Sequence, residues 1–438
     1  MMQRLDRSQA DFDEKLSALL RVPAEDAAEV RAVVAEILGD VRSGGDVRLV
    51  ELTNQLDRRD VASAVELKIE KDRLKTAFDN LDPLLAEALS ASVDRVRTYH
   101  EAQLAALGGG EDWQFTDSLG NTLGQKVSGM QRVGLYAPGG KAAYPSTVIM
   151  TAIPAKVAGV EELVLCVPTP GGEVNETLLA AAYLCGVDHV FTIGGAQAIA
   201  AMAFGTDAVP RVDKIVGPGN LFVAVAKEMV FGTVGIDMIA GPSEVLIIAD
   251  KTASPDWIVK DLFAQAEHDE MAQSILISAD SDLLTAVAER LPVLLAEQPR
   301  SDIIAASLKA RGAMIQVADL SEALALANRI APEHLQLAIE NPADCLDEIR
   351  FAGAVFLGVD TAEVVGDYTA GPSHVLPTSG TARFASPLGV YDFQIRASVI
   401  DCSREGSIVL NRTAALLADV EGLTAHGDSA RARVSNQQ

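Results

Sequence analysis

The sequence predicts an α/β chain of two incomplete, doubly wound parallel sheets, with a helical N-terminal region ahead of them and a small C-terminal segment behind. Three observations carry this reading. From about residue 132 onward, short apolar runs alternate with amphipathic stretches, the pattern of parallel strands joined by covering helices. The alternation runs through 135–242 and restarts over 243–388. At 438 residues the chain is also too long for one simple core.

The first hundred residues read as helix. Apolar residues recur at spacings of three and four (Val30, Val33, Val34, Ile37, Leu38) within 11–107, and the glycines at 108–110 end the pattern. Strands are expected at 132–136, 163–167, 190–193 and 214–216, with helices at 177–184, 194–204 and 222–231. In the second run strands fall at 245–249, 274–278, 313–317, 335–339 and 354–357, and a helix runs from 255 to about 272. The last fifty residues leave this rhythm, with a short helix at 413–423 and a polar tail expected to fray. The expected division is a helical arm over 1–24, one α/β unit from 25–134 with 243–388, a second over 135–242, and a C-terminal segment over 389–438.

Composition excludes several classes of function. Lys and Arg number 36 against 61 Asp and Glu, a formal charge of -25 that repels nucleic acid and anionic membrane. No stretch approaches the ~18 uninterrupted apolar residues of a membrane span. The N-terminus carries charges where a signal peptide needs an apolar run. Cys166, Cys185, Cys345 and Cys402 lie far apart and form no CxxC, which suits idle thiols in a reducing compartment. A cytoplasmic location is expected.

The first strand is followed by no GxGxxG, and GGK at 139–141 lacks Walker A spacing. Three glycine-rich strand ends remain, YAPGGK, TIGGAQ and GPGN, each able to turn backbone N–H groups toward an anionic ligand. The helix from Pro255, with Ser254 as its cap, has an apolar stripe of Ile258 and Leu262 that continues into Gln265 and, three residues on, His268. Polar residues extending a core stripe either emerge into water or find partners, a metal among them. Asp367 and His374 share one Gly/Pro-containing loop, which can bring them together without helical constraint. Such nitrogen and oxygen donors suit a zinc ion with open positions, whereas closed structural zinc sites use cysteine. Glu333 and His334 form an adjacent acid–base pair after Pro332, whose bend can aim both at one pocket.

Taken together, the motifs YAPGGKAAYPS, GGAQAIAAMAFGT, GPGN, DMIAGPSEVLIIAD, QAEHDE, APEHL, GDYTAGPSHVLPT and EGLTAH, in this order between residues 131 and 426, resemble the histidinol dehydrogenase family. The resemblance implies a Rossmann-like NAD unit and a zinc site of Gln265, His268, Asp367 and His426. It implies Glu333 and His334 as the catalytic pair. Ser243, His374 and Glu421 match its substrate contacts, alongside the zinc ligands and His334, and Tyr136, Gln197 and Asn220 match its NAD contacts. It further implies oxidation of L-histidinol to L-histidine through the aldehyde with two NAD, in a homodimer whose C-terminal segment enters the partner's site. Two alternatives stay open at this stage. One is a related zinc and NAD dehydrogenase of another small polar alcohol, such as a sulfonated diol; the other is a non-catalytic, zinc-stabilised binding protein.

Overall fold

The computed structural model describes residues 2–21, 27–139 and 144–435, so Gly140 and Lys141 of the first glycine-rich turn lie outside the described residues. Among the described residues the strands form two six-stranded sheets and one of three strands. The first sheet runs, in spatial order, Lys68–Ile69, His189–Phe191, Glu162–Cys166, Arg132–Tyr136, Lys214–Val216 and Gly235–Ile236. Its pairings are parallel except at the Lys68–Ile69 edge. Successive side chains along these strands serve opposite cores. Val133, Leu135, Leu163 and Leu165 pack beneath the helices Pro83–Ala106, Pro145–Val157 and Glu176–Leu184. Tyr136, Val164, Cys166 and Phe191 pack beneath Ala27–Leu56, Gly195–Phe204 and Leu221–Val230. Burial on both faces is why these strands read as unbroken apolar runs.

The second sheet runs Gln3–Asp6, Ala313–Gln316, Gln273–Ser278, Glu244–Ala249, His334–Ala338 and Ala354–Leu357, parallel throughout. Helices Pro255–Ala266, Ser281–Leu295 and Ser301–Arg311 cover one face, and Phe12–Leu20 with Leu320–Ile330 the other. Parallel pairing with helices on both faces matches the predicted class.

The differences have physical reasons. Gln3–Asp6 is an edge strand, too short and too polar to announce itself by periodicity. Residues 27–106 pack on the first sheet, where the sequence reading groups 25–134 with 243–388; an amphipathic stripe states that a helix is half-buried, not against what. The helix from Pro255 ends at Ala266 rather than near 272, and Ser254 occupies its N-cap position without a side-chain bond. Strands Trp113–Thr116, Thr122–Gly129 and Gln394–Asp401 form an antiparallel ribbon. Beyond it, Arg404–Val420 and Thr424–Ser435 fold as a helical hairpin where a fraying tail was expected. Ribbon and hairpin together leave Phe115, Ile400, Leu416, Leu417 and Val420 at least half exposed.

Candidate active site

Strands Glu244–Ala249 and His334–Ala338 lie side by side with Val245 opposite His334, so their amino ends meet. The Glu244 backbone becomes the shared anchor. Its N–H donates to Glu333 Oε2 at 2.7 Å, and its carbonyl accepts from His334 Nδ1 at 2.9 Å. A carbonyl only accepts, so Nδ1 carries the proton and Nε2 keeps its lone pair. Two successive residues converge on one anchor because the regular strand begins only at His334. Just before it, Ala331 takes a left-handed φ of +54° and Pro332 gives its carbonyl to Gly353 N–H, the bend expected at this proline.

Gln265, at the end of its helix, is 1% exposed. In the orientation that satisfies both amide atoms, its nitrogen donates to Glu363 Oε1 at 2.5 Å and its oxygen accepts from Glu244 N–H at 3.1 Å. His268 sits in the turn past the helix, its N–H donating to the Gln265 carbonyl at 3.3 Å, so the pair shares a turn rather than one helix face. Asp367 lies in the short helix Val364–Tyr368. His374 Nδ1 donates to the Asp367 carbonyl at 3.1 Å and stands 3.9 Å from its carboxylate. This segment is tied to the helix Pro83–Ala106, for Ser92 Oγ donates to the Tyr368 carbonyl at 2.5 Å.

Burial sets the protonation of this corner. It pushes the imidazoles of His334 and His374 down to about 4, helped in each by the neighbouring His268, and lowers His268 itself. It raises Asp367 to about 6 and Glu244 to about 7, and lifts Glu333 and Glu363 well above the carboxylate range, with repulsion from neighbouring carboxylates, Asp367 among them, adding to both. Glu363 escapes sequence reasoning. Its carboxylate is buried, 3.6 Å from His334 Nδ1 through Oε1, and Oε2 has no partner among the described residues. The one available signal was its spacing of four from Asp367.

Buried nitrogen and oxygen donors gathered in one corner suit a cation. The Asp367 carboxylate has His374 Nδ1 at 3.9 Å, and among the described residues the buried Glu363 Oε2 is left without a partner, a demand that a cation would meet. The residues therefore fit zinc in part. Among the described residues no three His, Cys, Asp or Glu side chains surround a common point. Of the expected set, His268 and Asp367 stand in this corner, with Gln265 as an amide. His426 and Glu421 stand exposed on the C-terminal hairpin, lining a groove with Leu417 and Leu423. Ser243, just before its strand, is held by its carbonyl accepting from Gln273 N–H at 2.9 Å.

The expected NAD contacts gather at the carboxyl ends of the first sheet. Tyr136 closes its strand with the hydroxyl accepting from Gly195 N–H at 3.1 Å. Gln197 is 1% exposed, and neither amide atom finds a partner among the described residues, an unmet demand that a ligand would satisfy. Asn220 caps the next helix, its Oδ1 accepting from Val223 N–H at 3.1 Å, which leaves its amide nitrogen free at the surface.

Comparison with known proteins gives one consistent match. The family model for histidinol dehydrogenase matches residues 20–434. A histidinol dehydrogenase of Pseudomonas aeruginosa is 55% identical over all of this chain and 98% of its own length. One from Chromobacterium violaceum is 54% identical over 99% of each. The crystal structure of histidinol dehydrogenase from Elizabethkingia anophelis superimposes with a TM-score of 0.91 at 31% identity, covering 99% of this chain and 98% of that one.

Proposed function

This chain belongs to the histidinol dehydrogenase family, and from that premise we propose that it oxidises L-histidinol to L-histidine, through the aldehyde, with two NAD and one zinc ion per subunit. The observation that carries the reading is the pair formed at Glu244: a neutral His334 with Nε2 free, beside a buried Glu333 carboxyl, in the corner that holds Gln265, His268 and Asp367.

Gln265, His268 and Asp367 would hold zinc, which supplies a Lewis-acid anchor for the substrate's imidazole and amino nitrogens, while NAD supplies the hydride acceptor. His334 Nε2 takes the hydroxyl proton as the carbinol hydride leaves, giving the aldehyde. Its Nδ1–H bond to Glu244 fixes the ring and the tautomer through this step. Glu333, whose proton affinity burial raises, takes a proton from the water that adds to the aldehyde carbon. Loss of a second hydride from the hydrate leaves the carboxylate, and the protons pass to solvent. A buried corner keeps the aldehyde from escaping between steps.

We further propose that the fourth zinc ligand, His426, and the substrate contact Glu421 come from a second copy. The support is their exposure, together with the apolar surface of the ribbon and hairpin that carry them. No helix among the described residues is long and apolar enough to cross a membrane.

Zinc-loaded protein given histidinol and NAD is expected to form two NADH per histidine produced, and to stop when a chelator removes the metal. Turnover of a sulfonated diol in place of histidinol would overturn the substrate. Metal-dependent melting without any NADH would mark a binding protein.

A further inference from the structure

The parallel strands of the first sheet take the spatial order His189–Phe191, Glu162–Cys166, Arg132–Tyr136, Lys214–Val216 and Gly235–Ile236. Counted along the chain this is 3-2-1-4-5, one strand short of the dinucleotide-binding order. In such a fold an acidic residue past the second strand bonds the ribose hydroxyls of the adenosine. Here the second strand runs on into Val167-Pro168-Thr169-Pro170-Gly171 and offers no carboxylate.

A carboxylate reaches that edge from another part of the chain. Asp57 follows the helix Ala27–Leu56, in a turn where Arg58 takes a left-handed φ of +54°. Three bonds strap the turn across the ends of the second and third strands. Gly171 N–H donates to the Asp57 carbonyl at 2.9 Å, Gly194 N–H donates to Asp57 Oδ2 at 3.2 Å, and Arg59 donates to Thr169 Oγ1. A left-handed arginine costs energy, and the strapping keeps it in place.

The surroundings of Asp57 are those of a ligand site. Gly194 and Gly195 follow one another at the third strand's end, the first bonded to Asp57 and the second to the Tyr136 hydroxyl. A Cβ on Gly195 would stand 2.7 Å from Gln197 Oε1, so the unpartnered, buried amide of Gln197 faces the same corner. Among the described residues one backbone N–H is the only hydrogen bond this half-buried carboxylate receives, and burial raises it above the usual aspartate value.

We infer that Asp57 selects the coenzyme: its carboxylate binds the adenosine ribose hydroxyls and excludes a dinucleotide that carries a 2′-phosphate. The inference rests on reading this sheet as the NAD-binding unit. A 2′-phosphate would bring a second anion against a half-buried first one, with its hydroxyl partner gone. Arg59, tethered on the same turn, is close enough for its charge to act on Asp57. Without the aspartate's charge it would be left to receive the phosphate.

The test is calorimetric titration of the full-length, zinc-loaded protein with NAD and with NADP, in the absence of histidinol. The wild type should prefer NAD by about a hundredfold or more. Asp57→Asn keeps an oxygen for the Gly194 N–H and loses only the charge, so a purely structural aspartate would be replaced without effect on preference. In that variant NAD binding should weaken about tenfold and NADP binding strengthen, bringing the ratio below about ten. Asp57→Glu should retain the exclusion of NADP, and Asp57→Ser serves if the asparagine variant is not recovered folded. An unchanged ratio in a variant of wild-type melting temperature and zinc content would overturn coenzyme selection alone. A wild type that binds neither dinucleotide would overturn the NAD reading and this inference with it.

Discussion

Lys227 and Asp237 form an ion pair with only 3% and 1% of their side chains exposed, and both hold the same glycine. Lys227 Nζ donates to the Gly217 carbonyl at 2.9 Å, and Asp237 Oδ2 accepts from the Gly217 N–H at 2.7 Å. Gly217 has φ of +114°, and a Cβ there would lie 2.1 Å from the Tyr136 carbonyl. The pair thus sets the turn that leads to Asn220. Lys227→Met leaves the buried Asp237 carboxylate without its cation, and breaking such a pair costs about 3–5 kcal/mol. Urea unfolding should show that loss; a change under 1 kcal/mol would mean that water reaches the aspartate.

Glu333→Gln keeps the shape that meets the Glu244 N–H but removes the base. Single-turnover oxidation of the alcohol should survive far better than oxidation of the amino aldehyde, where water must be activated. The second step is expected to slow by ~10²–10⁴-fold. Equal slowing of both hydride transfers would assign Glu333 to something other than water.

The His334 imidazole, pushed down to about 4 by burial, should stay neutral through the physiological range. Its nitrogen NMR shifts in the metal-free protein should therefore show no protonation at pH 6. The linkage has a definite sign. The unfolded chain takes up this proton near the ordinary value of about 6.5, before the folded one does, so the ring subtracts stability as pH falls from there toward 4. A titration near 6.5 in the folded protein would show a solvated ring and remove the basis for its role as a ready base.

Shared sites make a quantitative prediction. His334→Ala and His426→Ala homodimers should each be nearly inactive. Mixed dimers place both defects in one site and neither in the other, so random reassortment of equal amounts should restore about a quarter of wild-type activity. No recovery, with exchange of subunits verified by different tags, would place each site within one chain.

How much of this was legible in the sequence depends on what each element contacts. The strands at 132–136 and 214–216 match the expected bounds to the residue, because burial on both faces writes itself as a continuous apolar run, and the half-buried edge strand at 354–357 matches through its apolar sequence alone. The ribbon strand Gln394–Asp401 is largely exposed and leaves no such trace. Gln265 stood out as a polar residue on an apolar stripe, but the helix end that separates it from His268 did not, since Glu267 and Glu270 suit a helix as well as a turn. Glu333 and His334 could be named as a pair; their common anchor on Glu244 depends on which strand lies beside which, and no local pattern encodes that.

The edge strand Gln3–Asp6 has a consequence for the birth of the molecule. Gln3 pairs with Ala313, 310 residues later, and Met2 is buried in the core beside that edge. At ~5–20 residues per second a ribosome needs roughly 15–60 s to make the intervening chain. Through that interval the Gln3–Asp6 segment waits without its neighbour, while the first sheet already has most of its strands. The second sheet can therefore close only after residue 313 is made, and its outermost strand, though made before the rest of that sheet, is among the last to dock.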